Sequence, residues 1–65
     1  MTPNRRRFLS AVAANPGASR PSDNASTMRA CQRLGHVHTY DDDLPYASRA
    51  WVILPAGVAA LRVSA

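Results

Sequence analysis

Sixty-five residues allow at most one small domain, and a chain of that length buries only about 60% of the surface its unfolded form exposes. The net charge is +4, all eight basic residues are Arg, and Lys and Glu are absent. A single cysteine, Cys31, excludes an internal disulfide framework, and three glycines without a G-x-G spacing exclude a dinucleotide or phosphate loop. No Ser-His-Asp nucleophile arrangement can be argued in so short a chain, so no enzymatic activity is expected. The 46% apolar content is inflated, because 12 of those 30 residues are Ala. Leu, Ile, Val and Phe number only 12 of 65, or 18%, under the roughly 20% level that marks disorder when net charge is appreciable. The fold class expected is therefore a small, marginally folded α+β chain or a largely disordered one, without a steep cooperative melt.

Residues 1–14 are a basic and then apolar N-terminal segment. Arg5-Arg6-Arg7 runs into Phe8-Leu9 and then Ser10-Ala11-Val12-Ala13-Ala14. A short helix near 5–14 is expected, capped by Asn4 and stopped by Asn15-Pro16. Three Arg at a helix N-terminus oppose the macrodipole at about 0.3–1 kcal/mol each, so local stability does not account for them. A basic cluster leading into an apolar one is also the construction of a targeting segment.

Residues 4–10 resemble the n-region of a twin-arginine export signal, whose pattern is Ser/Thr, Arg, Arg, any residue, Phe, Leu, Lys. Asn4 stands at the Ser/Thr position, Arg5 and Arg6 form the pair, Arg7 is the free position, Phe8 and Leu9 match, and Ser10 replaces the Lys. The resemblance implies targeting roles for Arg5, Arg6, Phe8 and Leu9, an export translocase as partner, and an exported or periplasmic destination. Without a working signal the chain would be cytoplasmic. The apolar stretch Leu9–Ala14 is six residues, shorter than the 7–15 or so usual before a cleavage site. The resemblance does not extend past residue 10.

Turn-forming and small residues make 15–25 a linker, and Asn24-Ala25-Ser26 has the form of an N-glycosylation acceptor. The remainder, 26–65, reads as one small, weakly structured region. A helix near 26–34 would place Met28, Cys31 and Leu34 on one side, with Ser26 or Asn24 as its cap and Gly35 at the C′ position. His36 to Tyr40 alternates like a short strand, with His36, His38 and Tyr40 on one face. Asp41 to Pro45 is a loop. Trp51-Val52-Ile53-Leu54 has strand composition, and Pro55-Ala56-Gly57 fits a hairpin loop returning over 58–63. A C-terminal hairpin over 51–63 is thus expected, although the Ala-rich return would also suit a short helix starting after Pro55. The apolar run 50–61 is 12 residues with a Pro and a Gly inside it, against the roughly 20 a membrane span requires. No transmembrane segment is expected.

Cys31, His36, His38 and Asp41, with Asp43 as the alternative carboxylate, put a thiol, two imidazoles and a carboxylate within thirteen residues. Zinc is the metal that accepts such a mixed N, S and O set, and an H-x-H pair on a strand aims both rings to one side. The plain alternative is two solvated His beside three solvated Asp, with no metal and no other cofactor. A pI of 10.7 gives non-specific binding to nucleic acid or to anionic lipid as a further reading. The four aromatics do not interleave with the Arg residues as a base-stacking platform would. Absent Lys and Glu are equally compatible with an open reading frame that carries no selected function. No biochemical activity can be assigned from the residues alone.

Overall fold

Helix α1 (Pro3–Ala14) begins where the chain supplies a cap and a proline. Thr2 Oγ1 accepts the Arg5 N–H at 3.2 Å, and Pro3 occupies the first turn, where its missing N–H costs nothing. The N-cap is therefore Thr2 rather than Asn4, and the helix starts two residues before the expected position. Phe8, Leu9 and Val12, spaced i, i+1 and i+4, are its buried residues. The computed structural model describes residues 1–19 and 24–63. The expected linker is thus described only in part, with 20–23 outside the described residues. Gly17, at φ +83°, turns the chain so that its N–H donates to the Trp51 carbonyl at 2.8 Å, and Ser19 forms an antiparallel bridge with Ala50.

Helix α2 (Ala25–Arg33) starts at Asn24, whose Oδ1 accepts the Ser26 N–H at 2.8 Å. It ends in a Schellman motif. Gly35 sits at φ +74°, the Gly35 N–H reaches the Gln32 carbonyl, and the His36 N–H reaches the Cys31 carbonyl at 2.9 Å. Met28 and Cys31 turn inward. Strand β1 (Val37–His38) follows at once and pairs antiparallel with β2 (Val52–Ile53), in the register Val37 with Ile53 and His38 with Val52. Between them lie the Asp41–Asp43 loop and a single 3₁₀ turn at Tyr46–Ser48.

The hairpin expected over 51–63 is not formed. The partner of Val52–Ile53 is β1, and residues 55–63 are helix α3 (Pro55–Val63). Pro55 serves a helix N-terminus as readily as a turn, and the Ala-rich segment after it has high helix propensity. The Leu54 carbonyl closes the first turn, accepting the N–H groups of Gly57 and Val58.

Seven residues form one core: Phe8, Leu9, Val12, Met28, Cys31, Val37 and Trp51. Three of them come from α1. The edge of the Phe8 ring meets Trp51 at 5.7 Å between centroids, and Tyr46 stacks parallel on Trp51 at 6.3 Å. The radius of gyration is 10.4 Å. A compact chain of this length should have about 11 Å and an unfolded one about 25 Å. The largely disordered alternative is therefore corrected to a small packed α+β fold. Counting only Leu, Ile, Val and Phe had left out Trp51, Met28 and Cys31, which are among the most deeply buried side chains.

Candidate functional site: a basic end around an apolar groove

The first turns of α1, the end of α2 and the length of α3 meet around an open groove of about 400 Å³. Helix α3 contributes Ala56, Ala59, Ala60 and Val63, the start of the chain contributes Met1 and Arg5, and Leu34 and His36 complete the lining. Burial of Phe8, Leu9 and Val12 sends one face of α1 into the core and the other to solvent. Arg6 and Arg7 are accordingly exposed, and Arg5 is half-buried at the groove. Arg33 immediately precedes Leu34 and Arg62 immediately precedes Val63, and both are exposed. Of the described arginines, Arg5 lines the groove, and Arg6, Arg7, Arg33 and Arg62 stand within two residues of a lining residue. The groove carries unburied apolar surface as well: Met1 is 49% exposed, Leu34 53% and Val63 85%.

The Asp41 carboxylate is held toward the other end of α1. Helix α1 has 12 residues, so its ends lie about 18 Å apart. Its C-terminal end is tied through Gly17 to Trp51, and the neighbouring Ala50 N–H donates to Asp41 Oδ2 at 2.9 Å. Arg49 donates from Nε to the Leu44 carbonyl and from Nη2 to the Asp42 carbonyl, both at 2.8 Å. Its guanidinium also lies 4.2 Å from the centre of the Tyr46 ring. A hydrogen bond from Arg29 holds the Tyr46 hydroxyl below its ordinary pKa, with the charges of Arg29 and Arg49 helping and burial opposing. A depression of about 300 Å³ opens there, lined by Ala25, Ser26, Arg29 and Tyr46. Arg29 and Arg49 are thus engaged around the Tyr46 ring and the Asp42–Leu44 backbone.

The expected zinc ligands are not brought together. Cys31 is fully buried among the core side chains, and burial pushes its thiol pKa up, with Arg5 pulling only partly against it. His36 is half-buried, with Nδ1 enclosed and without a hydrogen-bond partner among the described residues. His38 is exposed, and its ring meets Tyr40 edge-on at 4.6 Å. The Asp41 carboxylate is engaged by Ala50, and Asp43 is exposed. Among the described residues no group of three or more His, Cys, Asp or Glu side chains could hold a metal ion. A protonated thiol sealed in an apolar core is a poor first ligand, so this donor set does not fit zinc.

The four targeting candidates divide in the same way. Arg5 and Arg6 lie at the basic end, while Phe8 and Leu9 are 1% and 0% exposed. Of the aromatics, Phe8 and Trp51 are in the core and Tyr46 is stacked on Trp51, leaving Tyr40 as the exposed ring. No helix among the described residues is long and apolar enough to cross a membrane. The sequence pattern located the Arg5–Arg7 cluster but missed its company, because Leu34, Val63, Arg33 and Arg62 reach it only through tertiary packing. The chain matches no family model, no curated protein and no solved structure.

Proposed function

We propose that the protein binds anionic membrane surfaces through its basic end. One observation carries the reading: Arg5 lines a groove with exposed Met1, Leu34 and Val63, and exposed Arg6, Arg7, Arg33 and Arg62 stand within two residues of that lining. Each Arg near an anionic leaflet contributes about 1 kcal/mol, and apolar side chains that enter the headgroup region add their transfer from water. The three Arg in the first turns of α1 work against the helix dipole, an arrangement that helix stability does not favour and surface attraction does. Duplex nucleic acid would satisfy the charge but leave the apolar groove in water.

Vesicle co-sedimentation tests this. The protein should bind vesicles containing an anionic lipid, not neutral ones, and should be released as salt shortens the Debye length to about 3 Å at 1 M. Replacing Arg7, Arg33 and Arg62 together by Gln should weaken binding about a hundredfold. Leu34→Ser should weaken vesicle binding while leaving any duplex binding unchanged. Equal binding to neutral vesicles, or indifference to the triple substitution, overturns the proposal.

The export reading stands as a second proposal, favoured by the exposed position of Arg6 beside Arg5 at the start of α1. A receptor that also reads Phe8 and Leu9 must first draw α1 out of the core. A reporter fused after Ala25 lacks the core partners of α1 and should be exported, and Arg5-Arg6→Lys-Lys should stop it. The same reporter behind the full chain should be exported less. Export that is absent from both fusions, or insensitive to the Lys pair, rejects the signal.

A further inference from the structure

We propose that the groove beside Arg5 is a site for one molecule of an anionic amphiphile, a carboxylate carried on a single apolar chain. The inference rests on the surface-binding reading and deepens it by naming the chemistry that this end accepts from solution.

Four observations carry it. The volume of about 400 Å³ falls within the roughly 300–1,000 Å³ of small-molecule sites. Arg5 is the one permanently charged residue among the described residues of the lining, and its planar guanidinium fork matches a carboxylate bidentately. Three of the α3 residues that line the groove, Ala56, Ala59 and Ala60, end at Cβ. They leave open the space that Leu or Met would fill on a helix packed against neighbours. Finally, Leu34 and Val63 keep 53% and 85% of their surface in water, and an alkyl chain lying along α3 would cover them.

Charge also decides against other occupants. A second copy of the chain would set five arginines against five, and an acidic polymer would bring charge without the apolar body the groove lacks. A monoanion with an alkyl tail meets both needs in one molecule.

The test is calorimetric titration of the full chain with decanoate below its micelle concentration, with acetate and decanol as probes lacking the tail and the charge. Decanoate should bind one to one, and acetate should not bind. Ala59→Leu, at an exposed helical position, should weaken decanoate binding at least about tenfold by filling the groove. Arg5→Gln should weaken it about tenfold by removing the charge-assisted bonds. Both variants should keep the wild-type melting profile, which separates a blocked site from a lost fold. Decanoate heat that does not saturate, or that is unchanged in both variants, overturns the groove proposal. Vesicle binding without decanoate binding sinks the groove alone, and one-to-one decanoate binding without vesicle binding sinks the surface reading alone.

Discussion

Trp51→Ala should lower the melting midpoint of this protein by about 8–16 °C. Trp51 is 0% exposed and shares the core with residues of α1, α2 and β1. Its ring receives the edge of Phe8 from α1 and stacks on Tyr46, and its carbonyl holds the Gly17 turn. Truncating a buried Trp to Ala costs about 3–5 kcal/mol. One term opposes this, because the indole Nε1 is buried without a partner among the described residues, and removing such a donor returns about 1–3 kcal/mol. The cavity term is the larger, and a core in a chain of this size rarely supplies more than about 3–5 kcal/mol in total. At mid-range values the net loss is about 2 kcal/mol, roughly half of the stability, and at about 4–8 °C per kcal/mol the midpoint falls by about 8–16 °C. Thermal circular dichroism should show a sigmoidal transition for the wild type and one displaced to lower temperature by that amount for the variant. A variant melting within a few degrees of the wild type would show that the core does not hinge on Trp51.

The second large effect runs against helix propensity. Gly57 lies inside α3, where Ala is ordinarily better by about 1 kcal/mol. At this position a Cβ would collide with the His36 carbonyl oxygen and come within 2.8 Å of Ile53 Cγ1. The His36 carbonyl cannot step aside, because it accepts the Leu54 N–H at 2.9 Å and so binds the end of β2 to β1. Overpacking of this kind costs about 1–3 kcal/mol, which outweighs the propensity gain. Gly57→Ala should therefore lower the midpoint by several degrees, at about 4–8 °C per kcal/mol for a domain this small. A rise in midpoint would mean that α3 does not pack against β1 in the manner described.

These two residues also mark where reading the sequence stops. The cap at Asn24 and the C′ glycine at Gly35 are legible because their hydrogen bonds close within four residues. Helices near 5–14 and 26–34 were within reach for the same reason, through local punctuation and the inward spacing of Met28 and Cys31. At Pro55-Ala56-Gly57 the local signals conflict, since a proline followed two residues later by glycine suits a hairpin turn or a helix start. The decision is made by the contact between Gly57 and the His36 backbone, which no window of sequence contains. Disorder was overestimated because the core depends on a single Trp, a Met and a Cys in addition to its aliphatic residues. The candidate site divides similarly. Arg5 to Arg7 stand together in the chain, whereas the groove is made by residues 1, 5, 34, 36, 56, 59, 60 and 63, which only the packing of three helices assembles. The expected zinc set shows the converse: Cys31, His36, His38 and Asp41 are close in sequence, but the fold sends the thiol of Cys31 into the core.

Burial of Phe8 and Leu9 changes what the N-terminal segment can present. As an isolated peptide it would offer Arg and Phe-Leu together to a lipid surface or a receptor. In the folded chain the apolar half is spent on the core, and the arginines work with Leu34 and Val63 instead. The two situations differ in whether α1 stays in place when the basic end is engaged.

Hydrogen exchange of the full chain, free and bound to anionic vesicles, distinguishes them most directly. The amides of Leu9 and Val12 should exchange slowly in both states, because α1 remains packed on Trp51, while those around Leu34 and Arg62 should slow further on binding. Rapid exchange at Leu9 and Val12 in the bound state, with no added protection at Leu34 and Arg62, would contradict the account and show that α1 leaves the core to meet the surface.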